Sequence, residues 1–245
     1  MILLIDIGNS NIVFANYDSK IDNVIRINTR KDITGYEYGI LLRSSLEKFT
    51  YEDVIISSVV PEVTEIIRQY VQSELKISPI IVGPGVKTGL NIKTDNPKEV
   101  GSDLIVDAVA SFNHSDKALV VDLGTASKII LIEDRQLRGV IIAPGVRASL
   151  ESLVKKTSLL PQVDLKVPKN EFGTNTVDCI QSGVLYGHAH MIDGFLANQK
   201  YKDYKVLVTG GFSSIVGPLL KTKCEIDEIL LLKGLVDIYN RNKMK

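Results

Sequence analysis

Apolar positions along this chain fall into short continuous runs and into stretches of helical spacing. Met1 to Asp6 and Asn11 to Tyr17 predict a strand pair, and Val24 to Asn28 predicts a third strand. Tyr36 to Phe49 carries Tyr36, Ile40, Leu41 and Leu46 at helical spacing. Asp53 to Ser58 predicts a strand that runs into Ser57-Ser58-Val59-Val60-Pro61. Glu62 to Leu75 places Val63, Ile66, Ile67, Tyr70 and Val71 on one helical face. Ile80-Ile81-Val82 predicts another strand. The polar stretch from Gly83 to Gly101 is too long for a simple connection, and such loops are functional or disordered. Ser102 to His114 predicts a helix that buries Ile105, Val106, Val109 and Phe112. Asp103 falls in its first turn, where the helix dipole favours a carboxylate.

The second half restarts this pattern. Leu119 to Glu133 predicts a hairpin and Leu137 to Ala143 a further strand, ended by Pro144-Gly145. Arg147 to Lys156 predicts a helix, Leu159 to Thr176 a proline-containing loop, and Val177 to Gln199 a long helix. Lys205 to Thr209 predicts a strand broken by Gly210-Gly211, with helices over Ser213 to Leu220 and Ile229 to Arg241. Strands mixed with crossover helices predict α/β layers. The boundary falls at His114 to Lys117, giving halves of residues 1–114 and 115–245.

One pattern occurs twice. Leu4-Ile5-Asp6-Ile7-Gly8-Asn9-Ser10 and Val120-Val121-Asp122-Leu123-Gly124-Thr125-Ala126 each give an apolar run, Asp-x-Gly and a small polar residue, and an apolar strand follows. Two such hairpins imply a duplicated fold with a cleft between the halves. A single Asp-x-Gly hairpin is a common turn, but two in matching context favour a phosphate site. The Asp oxygens suit a hard cation, and glycine lets backbone N–H groups approach a phosphate closely. Thr209-Gly210-Gly211-Phe212-Ser213, between a strand and a helix, is a candidate adenosine contact.

Gly101-Ser102-Asp103 is the candidate acceptor side, because a carboxylate can take the proton of an attacking alcohol. The competing reading is a helix cap by Ser102 or Asp103. Asn175 or Thr176 likewise reads as an N-cap or as a substrate contact. His188 and His190 stand two apart, do not share a helix face, and argue against a metal site. Cys179 reads as a small core residue and Cys224 as inert.

Composition narrows the class. With 29 basic and 29 acidic side chains, the net charge is zero, which argues against a nucleic-acid partner. No apolar run reaches about 18 residues, so no membrane span is expected. The apolar N-terminus lacks a basic flank and breaks at Asp6, unlike a signal peptide. Two cysteines argue against a disulfide framework, and a cytoplasmic location is the default.

Taken together, these residues resemble the type III pantothenate kinases of the acetate kinase, sugar kinase and actin superfamily. The resemblance is carried nearly end to end. Its pieces are Asp6-Ile7-Gly8-Asn9-Ser10-Asn11, Ser57-Ser58-Val59-Val60-Pro61, Gly85-Val86-Lys87-Thr88-Gly89, Asp95-Asn96-Pro97 through Gly101-Ser102-Asp103, Asp122-Leu123-Gly124-Thr125-Ala126, Ala143-Pro144-Gly145, Asn175-Thr176, Gln181-Ser182-Gly183 and Thr209-Gly210-Gly211. It implies two ribonuclease H-like halves, a homodimer, and ATP-dependent phosphorylation of pantothenate, the first step toward coenzyme A. It also implies Mg²⁺ and a monovalent cation, potassium or ammonium. Carried over by motif, Asp6, Ile7, Gly8, Asn9, Ser10, Asn11, Ile12 and Val13 line the ATP phosphates with Thr125, and Gly210 and Gly211 meet the nucleotide. Asp103 is the proton acceptor, Thr94, Gly101, Ser102, Leu104 and Thr176 meet pantothenate, and Asp122 binds the monovalent cation. Some relatives of this family are described as accessory transcription activators, so a nucleotide-binding regulator is the alternative.

Three positions depart from the family pattern. Leu104 stands where Arg is usual, Thr94 where an aromatic is usual, and Lys128 where Thr is usual. Lys128 either replaces the charge of the monovalent cation or blocks nucleotide binding.

Overall fold

The computed structural model describes residues 1–46 and 48–243, with residues 43–45 described by their backbone alone. The chain divides into two compact units. The first holds Met1–Asn91, Asp95–Ala110 and the segment from Leu230 onward; the second holds Ile92–Thr94 and Ser111–Ile229.

The first unit is built on β1 (Ile2–Ile7), β2 (Asn11–Tyr17), β3 (Ile21–Asn28), β4 (Asp53–Ser58) and β5 (Ile80–Ile81), in the order β3-β2-β1-β4-β5. β1 pairs antiparallel with β2 and parallel with β4. Leu3, Ile5, Ile7, Ile12 and Phe14 form one apolar core with side chains of α1 (Gly35–Leu46) and α2 (Pro61–Tyr70). Pro61 opens α2, where a missing N–H costs nothing. Leu4 and Ile55, of the opposite parity, are also fully buried. On that side α3 (Ser102–Ala110) and α7 (Leu230–Lys243) pack together, and both approach the central strands. Burial on both faces is why these strands read as continuous apolar runs rather than as an alternation.

The second unit carries a six-stranded sheet in the order β11-β10-β7-β8-β9-β6. Its strands are β6 (Asn91–Ile92), β7 (Lys117–Leu123), β8 (Ala126–Glu133), β9 (Gln136–Pro144), β10 (Lys205–Thr209) and β11 (Glu225–Ile226). Leu119, Val121, Leu123 and Ile129 share a core with α4 (Val146–Lys156), α5 (Thr176–Leu196) and α6 (Ser213–Val216). Each unit therefore repeats one plan: a hairpin beside a parallel strand, with helices laid on the sheet. Among the described residues no helix is long and apolar enough to cross a membrane.

Several boundaries differ from the sequence reading. The helix expected over 36–49 is α1, Gly35–Leu46, and residue 47 lies outside the described residues. The helix expected to reach Leu75 changes to a wider turn over Val71–Leu75, closed by Lys76 at φ 59°. The helix expected to reach His114 tightens to a 3₁₀ turn at Ser111–Asn113. The long polar stretch contains β6 and a 3₁₀ turn at Pro97–Glu99. A two-residue strand such as β6 or β11 has no period to detect. The last helix, placed by sequence order in residues 115–245, belongs to the first unit. The helix packs on α3, β1 and β4, with Leu230, Leu235 and Ile238 buried, and Tyr239 donates to Asp53 at 2.8 Å.

Candidate active site

In the first unit the Asp6 hairpin pairs Asp6 with Val13 and Ile7 with Ile12. Its turn is closed by Gly8 N–H donating to the Asn11 carbonyl at 2.9 Å. Thr29 braces the turn from β3's far end: its N–H donates to the Ser10 carbonyl at 3.0 Å and its hydroxyl to the Gly8 carbonyl at 2.6 Å. Asn9 and Ser10 are exposed, and Asp6 is half-buried at the carboxyl end of β1. Ile7, Ile12 and Val13 are buried, so of the expected phosphate-lining residues these three have only their backbone to offer.

Beside Asp6 in the parallel register lies Ser57, and beside Ile7 lies Ser58. The end of β4 then grips the start of α3. Ser102 Oγ donates to the Ser58 carbonyl at 2.7 Å, accepts from Ser58 N–H at 2.9 Å, and lies 3.2 Å from Ser57 Oγ. The Ser102 hydroxyl has a single proton, already given to the carbonyl, so Ser57 is the donor of the third bond. These bonds go to β4 rather than to the amides of α3, so Ser102 is a clasp between elements and not a side-chain cap. The clasp holds Asp103 at the carboxyl ends of β1 and β4, the edge where open α/β sheets bind ligands. Asp103 Oδ1 accepts from Leu104 N–H at 2.9 Å. A Cβ at Gly101 would stand only 2.5 Å from that oxygen. Leu104 is buried, and its side chain adds no charge near Asp103.

The second unit assembles a different set. Asp122 on β7 lies directly opposite Lys128 on β8. Lys128 Nζ is 2.5 Å from Asp122 Oδ2, and the two side chains are 12% and 10% exposed. Asp122 also pairs in register with Thr209 of the parallel β10, which sets the Gly210 turn over its carboxylate. Gly210 has φ +90°, and a Cβ there would meet Asp122 Oδ1 at 2.5 Å and Leu123 backbone at 2.6 Å. The turn is strapped down by Phe212 N–H donating to the Leu123 carbonyl at 3.1 Å and by the Ser213 hydroxyl donating to the Gly210 carbonyl at 2.7 Å. Thr125 is exposed at the hairpin tip.

Thr176 is exposed as the first residue of α5, and the cap itself is Asn175. Asn175 accepts from Asp178 N–H at 3.0 Å and donates to its carboxylate at 2.8 Å. The Thr94 hydroxyl oxygen is buried without a hydrogen-bond partner. His188 is held between the Val184 and Pro144 carbonyls at 2.7 and 3.1 Å, while His190 faces Glu171 at 3.4 Å. The two rings serve different neighbours, as their spacing predicts. Cys179 is exposed, not a core residue as expected, because it sits on the first turn of α5 ahead of the buried Ile180. Burial raises the pKa of the Cys224 thiol, which disfavours the thiolate form.

Two grooves flank α5. One, of about 410 Å³, is lined by Pro144, Leu153, His188 and Met191, and the other, of about 340 Å³, by Phe172, Cys179, Tyr186 and His190. Neither touches Asp6, Asp103 or Asp122. Asp6 and Asp122 lie at strand ends and Asp103 in the first turn of α3, outside both grooves. Sequence reasoning noted Ser57-Ser58 as a strand end and as part of a motif of the family resemblance, without assigning either serine a role, and gave Thr29 none. The sequence offered a weak signal for the serines, paired hydroxyls at a strand terminus, and none for Thr29.

The sequence model of the family described as "Type III pantothenate kinase" matches residues 2–198. A type III pantothenate kinase from Acholeplasma laidlawii is 41% identical over 246 residues, covering 99% of each chain. Among solved structures, one assigned to the Baf family of transcriptional activators from Campylobacter jejuni has a TM-score of 0.62 at 22% identity, covering 98% of both chains. A glucokinase of the ROK family from Streptomyces griseus, solved with glucose and AMPPNP, has a TM-score of 0.52 at 12% identity, covering 98% of this chain and 99% of that one. These two likenesses show the shared two-lobed ribonuclease H-like fold. The sequence match over nearly the whole length decides the family: this chain belongs to the type III pantothenate kinases.

Proposed function

We propose that this protein transfers the γ-phosphoryl group of ATP to the hydroxyl of pantothenate, giving ADP and 4′-phosphopantothenate, the first step of coenzyme A biosynthesis. The observation that carries this reading is the Asp103 carboxylate clasped at the strand edge that also holds Asp6, in a member of this family. Phosphoryl transfer asks the protein mainly for positioning and for charge stabilisation. Mg²⁺ is commonly held by one or two carboxylates together with substrate phosphates, and Asp6, half-buried at a strand end beside the Gly8 turn, suits that role. When bound, the ion would neutralise charge on the phosphates.

The remaining steps belong to the chain's own residues. The family resemblance assigns the ATP phosphates to the backbone from Gly8 to Asn11 and to the exposed Thr125, and the nucleotide to Gly210 and Gly211. The same resemblance assigns the acceptor to Gly101, Ser102, Leu104, Thr94 and Thr176, with Ser102 acting through its backbone because its hydroxyl is committed to β4. Asp103 takes the hydroxyl proton as the new P–O bond forms and the bond to ADP breaks. Purified protein with ATP, Mg²⁺ and pantothenate should yield both products. Asp103→Asn should lower kcat by about 10²- to 10⁴-fold, and a near-normal rate would remove Asp103 from this role. The curated relatives at about this identity are kinases, and nothing favours the regulatory alternative.

The monovalent cation implied by the family resemblance does not suit Asp122 here. That carboxylate already faces a lysine ammonium at 2.5 Å in a site largely withdrawn from water. A second cation would meet like charge there, with the Gly210 turn packed on the other oxygen. No step of the reaction is therefore assigned to it. A homodimer and a cytoplasmic location are part of the same proposal. Leu159 and Phe172, 92% and 88% exposed, are large apolar side chains that a second copy could cover, and light scattering tests this directly.

A further inference from the structure

The two Asp-x-Gly hairpins differ at one cross-strand position. In the first, Asp6 lies opposite Val13. In the second, Asp122 lies opposite Lys128. Directly opposed residues of an antiparallel pair have Cβ atoms about 5 Å apart on the same face, so the register alone brings the ammonium to the carboxylate. The result is a 2.5 Å ion pair whose members are 12% and 10% exposed. A pair this withdrawn from water is unlike the surface ion pairs of this protein, such as Lys31 with Glu62 at 58% and 70% exposure. Removing one partner of a buried pair leaves an uncompensated charge, which the fold must neutralise by other means.

An ammonium group carries the same single charge as potassium and resembles it in size. Lys128 reaches Asp122 from the strand next door, and the covalent chain holds it there at all times. We propose that Lys128 is a built-in replacement for a monovalent cation at Asp122, so that this kinase works without potassium or ammonium. The inference rests on the kinase reading above. It extends that reading by assigning Lys128 a role in positioning and charge, and by removing a cofactor from the reaction. Its charge is fixed by the hairpin register, whereas a bound ion's occupancy varies with its concentration.

The test uses the full chain in buffers whose only monovalent cations are sodium or Tris, with potassium or ammonium added in parallel, and ADP measured by chromatography. The wild type should turn over equally in all of them. Lys128→Ala should lose about 10²-fold in kcat in sodium, the usual effect of removing one preorganised charge, and should regain activity with potassium or ammonium. Lys128→Arg should stay potassium-independent. Thermal unfolding gives a readout independent of turnover. The wild type should unfold at the same temperature in potassium and sodium chloride, whereas Lys128→Ala should be raised by potassium, since an ion that binds only the folded state stabilises it.

A wild type that requires potassium overturns the inference. So does a Lys128→Ala variant that ignores potassium in both rate and unfolding, or one that binds ATP more tightly than the wild type, which would make Lys128 a block to the nucleotide. If the alanine variant does not fold, Lys128→Gln takes its place. If the wild type makes no ADP with any cation, the kinase reading fails, and the unfolding measurements alone decide the role of Lys128.

Discussion

Gly101→Ala isolates the placement of Asp103 from its chemistry. An added methyl would stand 2.5 Å from Asp103 Oδ1 and 3.4 Å from Val59 Cγ1. The second distance is an ordinary contact, but the first falls short of one by about 0.9 Å, so the carboxylate must rotate or shift by about that much. It then gives up its bond from Leu104 N–H, now 2.9 Å. Losing that bond costs about 1 kcal/mol. Replacing glycine at a position without positive φ returns about 0.4–1 kcal/mol through the unfolded chain, so stability should change by less than about 1 kcal/mol. The rate is another matter, because a misplacement of about 1 Å in a reacting group can cost about 10²-fold. The expected result is a folded protein with an unfolding temperature near that of the wild type, KM for ATP unchanged, and kcat lower by about two orders of magnitude. Steady-state kinetics with pantothenate as the varied substrate, beside calorimetry, checks both halves. A variant with normal kcat would show that the Asp103 carboxylate tolerates displacement and would refute its role as a positioned base. A variant that loses stability in proportion to rate would refute the claim that the effect is local.

Gly210→Ala must force a Cβ into a residue at φ +90°, 2.5 Å from Asp122 Oδ1; it should lose about 2–4 kcal/mol in urea unfolding, and a loss under about 1 kcal/mol would contradict the packing described. Asp193 accepts from Lys221 N–H at 2.8 Å and Thr222 N–H at 2.9 Å; Asp193→Asn sets an amide donor against one of those donors and should cost about 1–3 kcal/mol. Burial alone would raise the pKa of Asp193, but the bonds from Lys221 N–H and from the Thr222 hydroxyl and N–H outweigh it and leave it below the ordinary 3.8. Its stabilisation is therefore complete above that ordinary value and fades as pH falls through the lower folded one, so the asparagine variant should show a shallower acid limb than the wild type. Burial first, and then the bond to Asp53, push the Tyr239 hydroxyl up to about 12. Tyr239→Phe should cost about 1 kcal/mol near neutral pH and remove a loss of stability that the wild type shows as pH rises past 10 toward 12, read by alkaline unfolding curves.

What was legible in the sequence was what is local. Each Asp-x-Gly hairpin carries its own strand signal on both sides of a short turn, so β1 with β2 and β7 with β8 stand where expected. Lys128 follows from Asp122 in the same way, since a short turn between Leu123 and Ser127 fixes which residues oppose one another. The helix holding Asp103 and the strand before Gly210 were also readable from apolar spacing and from glycine. Tertiary structure decided the rest. No spacing announces that Ser102 spends its hydroxyl on the end of β4, 44 residues earlier, or that Thr29 props the Asp6 turn. Nor does sequence order reveal that α7 returns to the first unit or that Gly210 lies over Asp122. Periodicity reports which face of an element must leave water, and the turn reports its register. Which partner covers that face, and which polar group meets a given hydroxyl, is set by packing between segments distant in the chain.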